Sequence, residues 1–224
     1  PDFTLTYYNI DGKTVIGTQA VEQDAEIEAF VEGVENKVTV ADGKKFRGWS
    51  SSLKQDEKKF TTSSVITSDA ALYALVTDIE TANATARYDY NFTKEGFDIN
   101  DHEAISVENG KWHDTTHGWV FESNGKIKVL MGGKGYIKMN LCQYSKTGKI
   151  TLLDPKGNEV SSIDAKATKD GNFGIFQNES TESGEYTLTF EGGDTYIHSL
   201  SIVNMTNPAF AQNGNWMEVK AGDA

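Results

Sequence analysis

Cysteine is nearly absent from this 224-residue chain: Cys142 stands alone, which excludes a disulfide framework and any all-cysteine metal site. No apolar run approaches the ~18 residues a membrane-spanning helix requires. Cationic charge is also scarce, with 21 Lys and Arg against 33 Asp and Glu and a net charge of −12. That balance argues against nucleic-acid binding and against an anionic membrane surface, since both need a basic face. The start at Pro1, without an initiator Met or a signal-peptide pattern, and the end at Ala224 lead us to expect an excised piece of a longer protein.

Acid is missing from one place in particular. Between Glu122 and Asp154 there is none, while Lys126, Lys128, Lys134, Lys138, Lys146 and Lys149 all fall there. An acidic protein thus carries one cationic segment.

What is abundant is the vocabulary of β structure. "TLTYYNIDGKTVIG" reads as strand, Asp11-Gly12 turn, strand. "QAVEQDAEIEAFVEG" spaces Val21, Ala25 and Ile27 or Glu28 near a helical period and is the one candidate for a sizeable helix. "KKFRGW" and "AALYALVTDI" are further strands, and polar "ETANATA" at 80–86 reads as a linker. Strands are then expected at 87–92, 104–108, 117–122, 125–131, 135–144, 148–153, 158–163, 173–177, 185–190 and 195–204. Turn signals such as "ESNG", "MGGKG", "KTG", "DPKGN" and "EGGD" separate them. Many short strands without a helical pattern indicate an antiparallel β-sandwich or jelly roll. The fold class expected is mainly β: a small module over 1–80, a linker over 81–86, a sandwich over 87–207 and a connector over 208–224.

"KWHDTTHGW" (111–119) gathers two of the four histidines and two of the four tryptophans. A Ser-His-Asp triad could recruit His113, His117 or His198, but no Gly-x-Ser-x-Gly elbow accompanies them. His113 and His117, four apart, would share one side of a helix as zinc ligands do. However, "HDTTHG" is poor helix material and precedes a strand, so on this reading the spacing carries no metal site. Asp89, Asp98 and Asp101 could hold a structural calcium, the alternative being solvated loop acids. A carboxylate pair for glycoside hydrolysis would need a deeper cleft than a sandwich of this size provides.

Glycan recognition asks for less: aromatic faces for pyranose C–H groups, and polar side chains for hydroxyls. Trp119 alternates with Phe121 and is assigned to the core, leaving Trp112 as the candidate platform beside Lys111 and His113. Strand alternation gives a second group: Lys126 and Lys128 opposite Ile127 and Val129, then Tyr136, Lys138, Asn140 and Tyr144 opposite Ile137, Met139 and Leu141. If these strands share a sheet, its outer face interleaves lysines with tyrosines. Lysines favour a carboxylate-bearing glycan over a neutral one.

Three stretches carry resemblances. "GKKFRGW" (43–49) with "ALYALV" (71–76) resembles the Listeria–Bacteroides repeat, whose Gly-aromatic-x-Phe-x-Gly-Trp turn and Leu-Tyr-Ala-x-Trp strand are met here with Lys44 and Val76 at the first aromatic and the last Trp. That resemblance implies a β-grasp-like spacer or adhesive module of bacterial surface and secreted proteins. "HGWVFESNGKIKVLMGGKGYIKMNLCQYS" (117–145) and "GEYTLTFEGGDTYIHSLSIVN" (184–204) resemble a β-sandwich module of secreted bacterial polysaccharide-degrading enzymes. "NWMEVKAGDA" (215–224) looks like the opening of a pectin esterase or pectate lyase β-helix. Together these imply a secreted or cell-surface, non-catalytic fragment with no cofactor. It would anchor an attached catalytic domain to plant cell-wall polysaccharide, homogalacturonan first and xylan or other glucans next. The alternative is a structural or adhesive spacer with no glycan of its own.

Overall fold

The computed structural model describes residues 1–54, 59–143, 147–165 and 168–205. The chain divides into two units, Pro1–Ile79 and Glu80–Ala224. The expected Pro208–Ala224 connector and the β-helix-like segment lie outside the described residues.

In the first unit, β1 (Asp2–Tyr8), β2 (Val15–Glu22), β3 (Lys44–Ser50), β4 (Lys59–Phe60) and β5 (Ala70–Asp78) form one sheet in the order β2-β1-β5-β3-β4. Only β1 and β5 run parallel, which is the β-grasp strand order. The Asp11-Gly12 turn is closed by Asp11 Oδ1, which accepts from the amides of Lys13 (2.9 Å) and Thr14 (2.8 Å). Phe46 and Trp49 are three apart and would face opposite sides of a regular strand. A register shift between Phe46 and Gly48 brings both to the core side, where their rings meet at 5.2 Å and Tyr7 lies 4.8 Å from Trp49.

The helix expected over 19–33 does not form. β2 continues to Glu22, and Asp24 (φ 62°) and Glu28 (φ 61°) are left-handed, which no α-helix accommodates. Ile27 is buried because the loop pairs with a neighbouring segment, its amide donating to Ser64 O (3.0 Å). The apolar spacing that imitates a helix belongs to a loop folded over the sheet. A 3₁₀ turn at Val34–Lys37 is the helical remnant.

The second unit contains β6 (Arg87–Asn91), β7 (Ile105–Asp114), β8 (Gly118–Met131), β9 (Gly135–Gln143), β10 (Gly148–Leu153), β11 (Glu159–Ala165), β12 (Thr168–Asn178), β13 (Gly184–Glu191) and β14 (Thr195–Asn204). The two strands expected at 117–122 and 125–131 are one 14-residue strand, β8, with Asn124 left-handed at φ 73° in its middle. Its second half pairs with β13, and its first half pairs with β14. One layer is therefore β8-β13-β10-β11 and the other β8-β14-β9-β12, with β6 added along β14 and β7 along β8.

Alternation fills the space between the layers. Ile127, Val129, Leu188, Phe190, Ile150 and Leu152 meet Ile137, Met139, Leu141, Phe176, Ile197 and Ile202 in one buried cluster. Phe121 stacks on Phe190 at 4.5 Å. Each such side chain contributes roughly 1.5–3 kcal/mol over leaving it in water.

Residues 80–86 are tied into this unit. Glu80 accepts hydrogen bonds from Tyr90 Oη (2.9 Å) and Ala104 N (3.0 Å), with His102 Nδ1 at 2.9 Å. Burial opposes ionisation of Glu80, yet these hydrogen bonds prevail and hold its carboxyl below the usual glutamate range. Thr81 and Tyr88 bond each other twice at 2.9 Å, and Ala86 O accepts from Asn204. The expected linker is thus part of the sandwich edge.

Candidate functional site

In β9, Ile137, Met139 and Leu141 point into the sandwich, which turns Tyr136, Lys138, Asn140 and Cys142 to the outer face of the second layer. Register carries this face across the neighbouring strands. Asn91, Ser199, Asn140 and Phe173 form one row, and Asp89, Ser201, Lys138 and Ile175 form the next. A register shift between Ile197 and Ser199 inserts His198, so that both His198 and Ser199 look outward while Ile197 and Leu200 stay buried.

These strands enclose a depression of about 450 Å³ lined by Asp89, Asn91, Asn140, His198, Ser199 and Ser201. Phe173 stands beside Asn140 with 48% of its surface exposed. The depression therefore offers amides, hydroxyls and an imidazole next to one flat ring.

Its charges are fixed by neighbours. Partial burial of the Asp89 carboxyl opposes ionisation. The Arg87 guanidinium (3.0 Å), the Ser201 hydroxyl (2.6 Å) and nearby Lys138 nevertheless hold its carboxyl below the ordinary aspartate range. Burial, with the charge of His117 second, lowers the His198 pKa, so the imidazole is neutral at neutral pH. His198 Nε2 lies 3.4 Å from the buried Cys142 Sγ, whose pKa is pushed up by burial, so the thiol stays protonated and unreactive.

Beyond His198 the same face reaches the β7–β8 hairpin. Tyr196 packs 5.1 Å from His113 and 5.4 Å from His117, ring centre to ring centre. Asp114 closes the turn: its Oδ1 accepts from Thr116 N (2.9 Å) and His117 N (2.7 Å). His117 Nδ1 lies 2.9 Å from each Asp114 oxygen. The hydrogen bond from His117, opposed by desolvation, is the main reason the Asp114 pKa falls to about 2. Gly118 is left-handed (φ 76°), and a Cβ there would stand 2.2 Å from Ile197 O, so only glycine follows His117.

The structure divides the expected site residues. Lys138, Asn140 and Tyr136 share the outer face of the second layer, but Tyr136 is 1% exposed and offers no platform. Lys111 pairs with Val120, which pairs with Tyr196, so Lys111 and His113 belong to the hairpin end of this face. Lys126 and Lys128 do not join it. They lie outside the first layer, because the second half of β8 belongs to that layer, and there Glu108 (2.7 Å) and Glu185 (3.8 Å) contact Lys128.

Trp112 is also displaced. It pairs with Trp119 on the edge strand β7, away from the row that runs from Asn91 to Phe173, and 45% of its surface is exposed there. Trp119 packs against the core as expected. Tyr144 falls outside the described residues. The calcium set does not assemble: Asp89 is bound to Arg87 and Ser201, while Asp98 caps a 3₁₀ turn through Asn100 N (2.9 Å). Among the described residues, the metal-capable group that does form is His113, Asp114 and His117.

Phe173, Asn91, Ser199 and Ser201 were not singled out from the sequence, and His198 was considered there only as a triad histidine. For Phe173 a signal existed. In "FGIFQ" the two phenylalanines are three apart, so a regular strand must turn one of them outward.

No protein-family model and no curated protein matches the chain. Among solved structures, it is similar to the C-terminal CBM6 of LamC from Zobellia galactanivorans, with TM-score 0.39 and 9% identity over 53% of this chain and 99% of that one. It is similar to a CBM6 of Clostridium stercorarium in complex with cellobiose, with TM-score 0.38 and 11% identity over 56% and 98%. It is also similar to a family 29 carbohydrate-binding module of Piromyces equi, with TM-score 0.39 and 10% identity over 54% and 92%.

Proposed function

We propose that the sandwich is a non-catalytic glycan-binding module whose site is the outer face of β6, β14, β9 and β12. The observation that carries this reading is the single row of Asn91, Ser199, Asn140 and exposed Phe173 above a shallow depression. A pyranose ring stacks its C–H face on Phe173. Its hydroxyls exchange hydrogen bonds with the amides of Asn91 and Asn140, the hydroxyls of Ser199 and Ser201 and the neutral His198 imidazole. Asp89 is held as an anion by Arg87 and Ser201.

Homogalacturonan is the first candidate, with xylan and other glucans next. Lys138 and Arg87 lie on this face, and an ammonium or guanidinium group bonds a uronate carboxylate more strongly than a neutral hydroxyl does. Within a secreted or surface-attached bacterial enzyme, the module would keep an attached catalytic domain on plant cell-wall polysaccharide by raising the local substrate concentration. The first unit, in this reading, is a Listeria–Bacteroides-type spacer.

Affinity electrophoresis of the 224-residue chain on homogalacturonan, galactan, xylan and xyloglucan tests the proposal. Retardation on a carboxylate-bearing glycan that Phe173→Ala reduces is the expected result. Unretarded migration on every glycan would leave the spacer reading in its place.

A further inference from the structure

We infer that His113, Asp114 and His117 bind a divalent first-row transition-metal ion of the zinc class at the tip of the β7–β8 hairpin. The spacing of the two histidines has no helix to act through, but the hairpin turn achieves the same approach. The potential ligand atoms of the three side chains all lie within 4.8 Å of one another.

Asp114 is oriented for the task. Its Oδ1 is occupied by the Thr116 and His117 amides at 2.9 and 2.7 Å. Its Oδ2 is left between two imidazoles, 2.9 Å from His117 Nδ1 and 3.5 Å from His113 Nε2. Bonds of about 2.0–2.1 Å around a tetrahedral ion separate neighbouring ligand atoms by about 3.3 Å. Two of the three edges are thus close to their liganded lengths before any ion arrives. The ion takes the Nδ1 lone pair of His117 in the tautomer that carries its proton on Nε2.

Ligand chemistry sets the metal class. Two imidazoles and one carboxylate suit zinc, copper, nickel or cobalt, whereas calcium and magnesium ask for a cage of oxygens. Access is open, with side-chain exposures of 43% for His113, 42% for Asp114 and 22% for His117. Three protein ligands leave a coordination position for water. His198, which lines the depression, lies 6.4 Å from His117, ring centre to ring centre, so the ion would sit beside one end of the proposed glycan face.

The experiment is isothermal titration of the untagged, chelator-treated chain with zinc chloride, with cobalt chloride as a spectroscopic probe. The expected result is saturation at one equivalent, with visible cobalt absorption, persisting in excess calcium chloride. Asp114→Asn keeps an oxygen to accept the Thr116 and His117 amides, so it preserves the turn while removing the anionic ligand. It and His113→Ala should each weaken zinc binding about tenfold to a hundredfold with an unchanged melting temperature. Absence of saturable zinc binding, displacement by equimolar calcium, or wild-type affinity in both variants would overturn the inference.

Discussion

Phe173 lies directly across the β12–β9 ladder from Asn140, so an exposed ring and an amide stand side by side on one outer sheet face. Removing the ring should therefore cost binding rather than folding. Phe173→Ala is expected to weaken glycan affinity by about fivefold to tenfold, from about 1 kcal/mol of lost ring contact. Because the ring is 48% exposed in the free protein, the melting temperature should move little. Calorimetric titration and a thermal melt of the same sample check both statements.

Lys138 and Lys128 provide a paired test of which face matters. Lys138→Ala should reduce homogalacturonan affinity by up to about fivefold, the scale of one exposed ionic contact, and make binding less sensitive to salt. Lys126→Ala and Lys128→Ala should leave binding unchanged, since those side chains lie outside the other layer with Glu108. Titrations at low and high sodium chloride separate these outcomes.

Gly118 is required by the backbone. With φ at 76° and the position of a Cβ 2.2 Å from Ile197 O, Gly118→Ala forces the β8–β14 ladder apart. Denaturant unfolding should show a loss of about 2–4 kcal/mol.

Glu80 makes the sandwich sensitive to acid. Its folded pKa lies below the ordinary glutamate value, so its contribution is complete above about pH 4.3 and is lost as pH falls through the folded value. Glu80→Gln should cost about 1–3 kcal/mol at neutral pH, because Tyr90, His102 and Ala104 lose their shared anion. The difference between the two proteins should shrink below about pH 4. Unfolding curves at a series of pH values measure it.

Much of the fold was readable in local alternation. Strands at 148–153 and 195–204 were expected with the bounds they have, because Gly-rich turns bracket clean apolar–polar patterns there. The failures have one physical origin: local pattern does not say which layer a strand joins. Lys128 and Lys138 alternate in the same way, yet β8 changes partners halfway along its length, so the two lysines emerge on different faces. Trp112 lies within β7 and keeps 45% of its surface exposed, but its cross-strand partner is Trp119, so it stands apart from the Asn140 row. His198 reaches the site through a bulge, which period-2 reading passes over. Asp114 and the two histidines converge through a turn, where helical spacing is the wrong measure.

The central claim is that a glycan chain lies across the outer face of the second layer, and amide chemical-shift mapping with galacturonate oligosaccharides tests it most directly. The account predicts concentration-dependent shifts clustered at Asn91, Lys138, Asn140, Phe173, Ser199 and Ser201, with Lys126 and Lys128 silent. Shifts confined to the Lys126–Lys128 face or to the Trp112 edge, or no shifts with any acidic or neutral oligosaccharide, would contradict it.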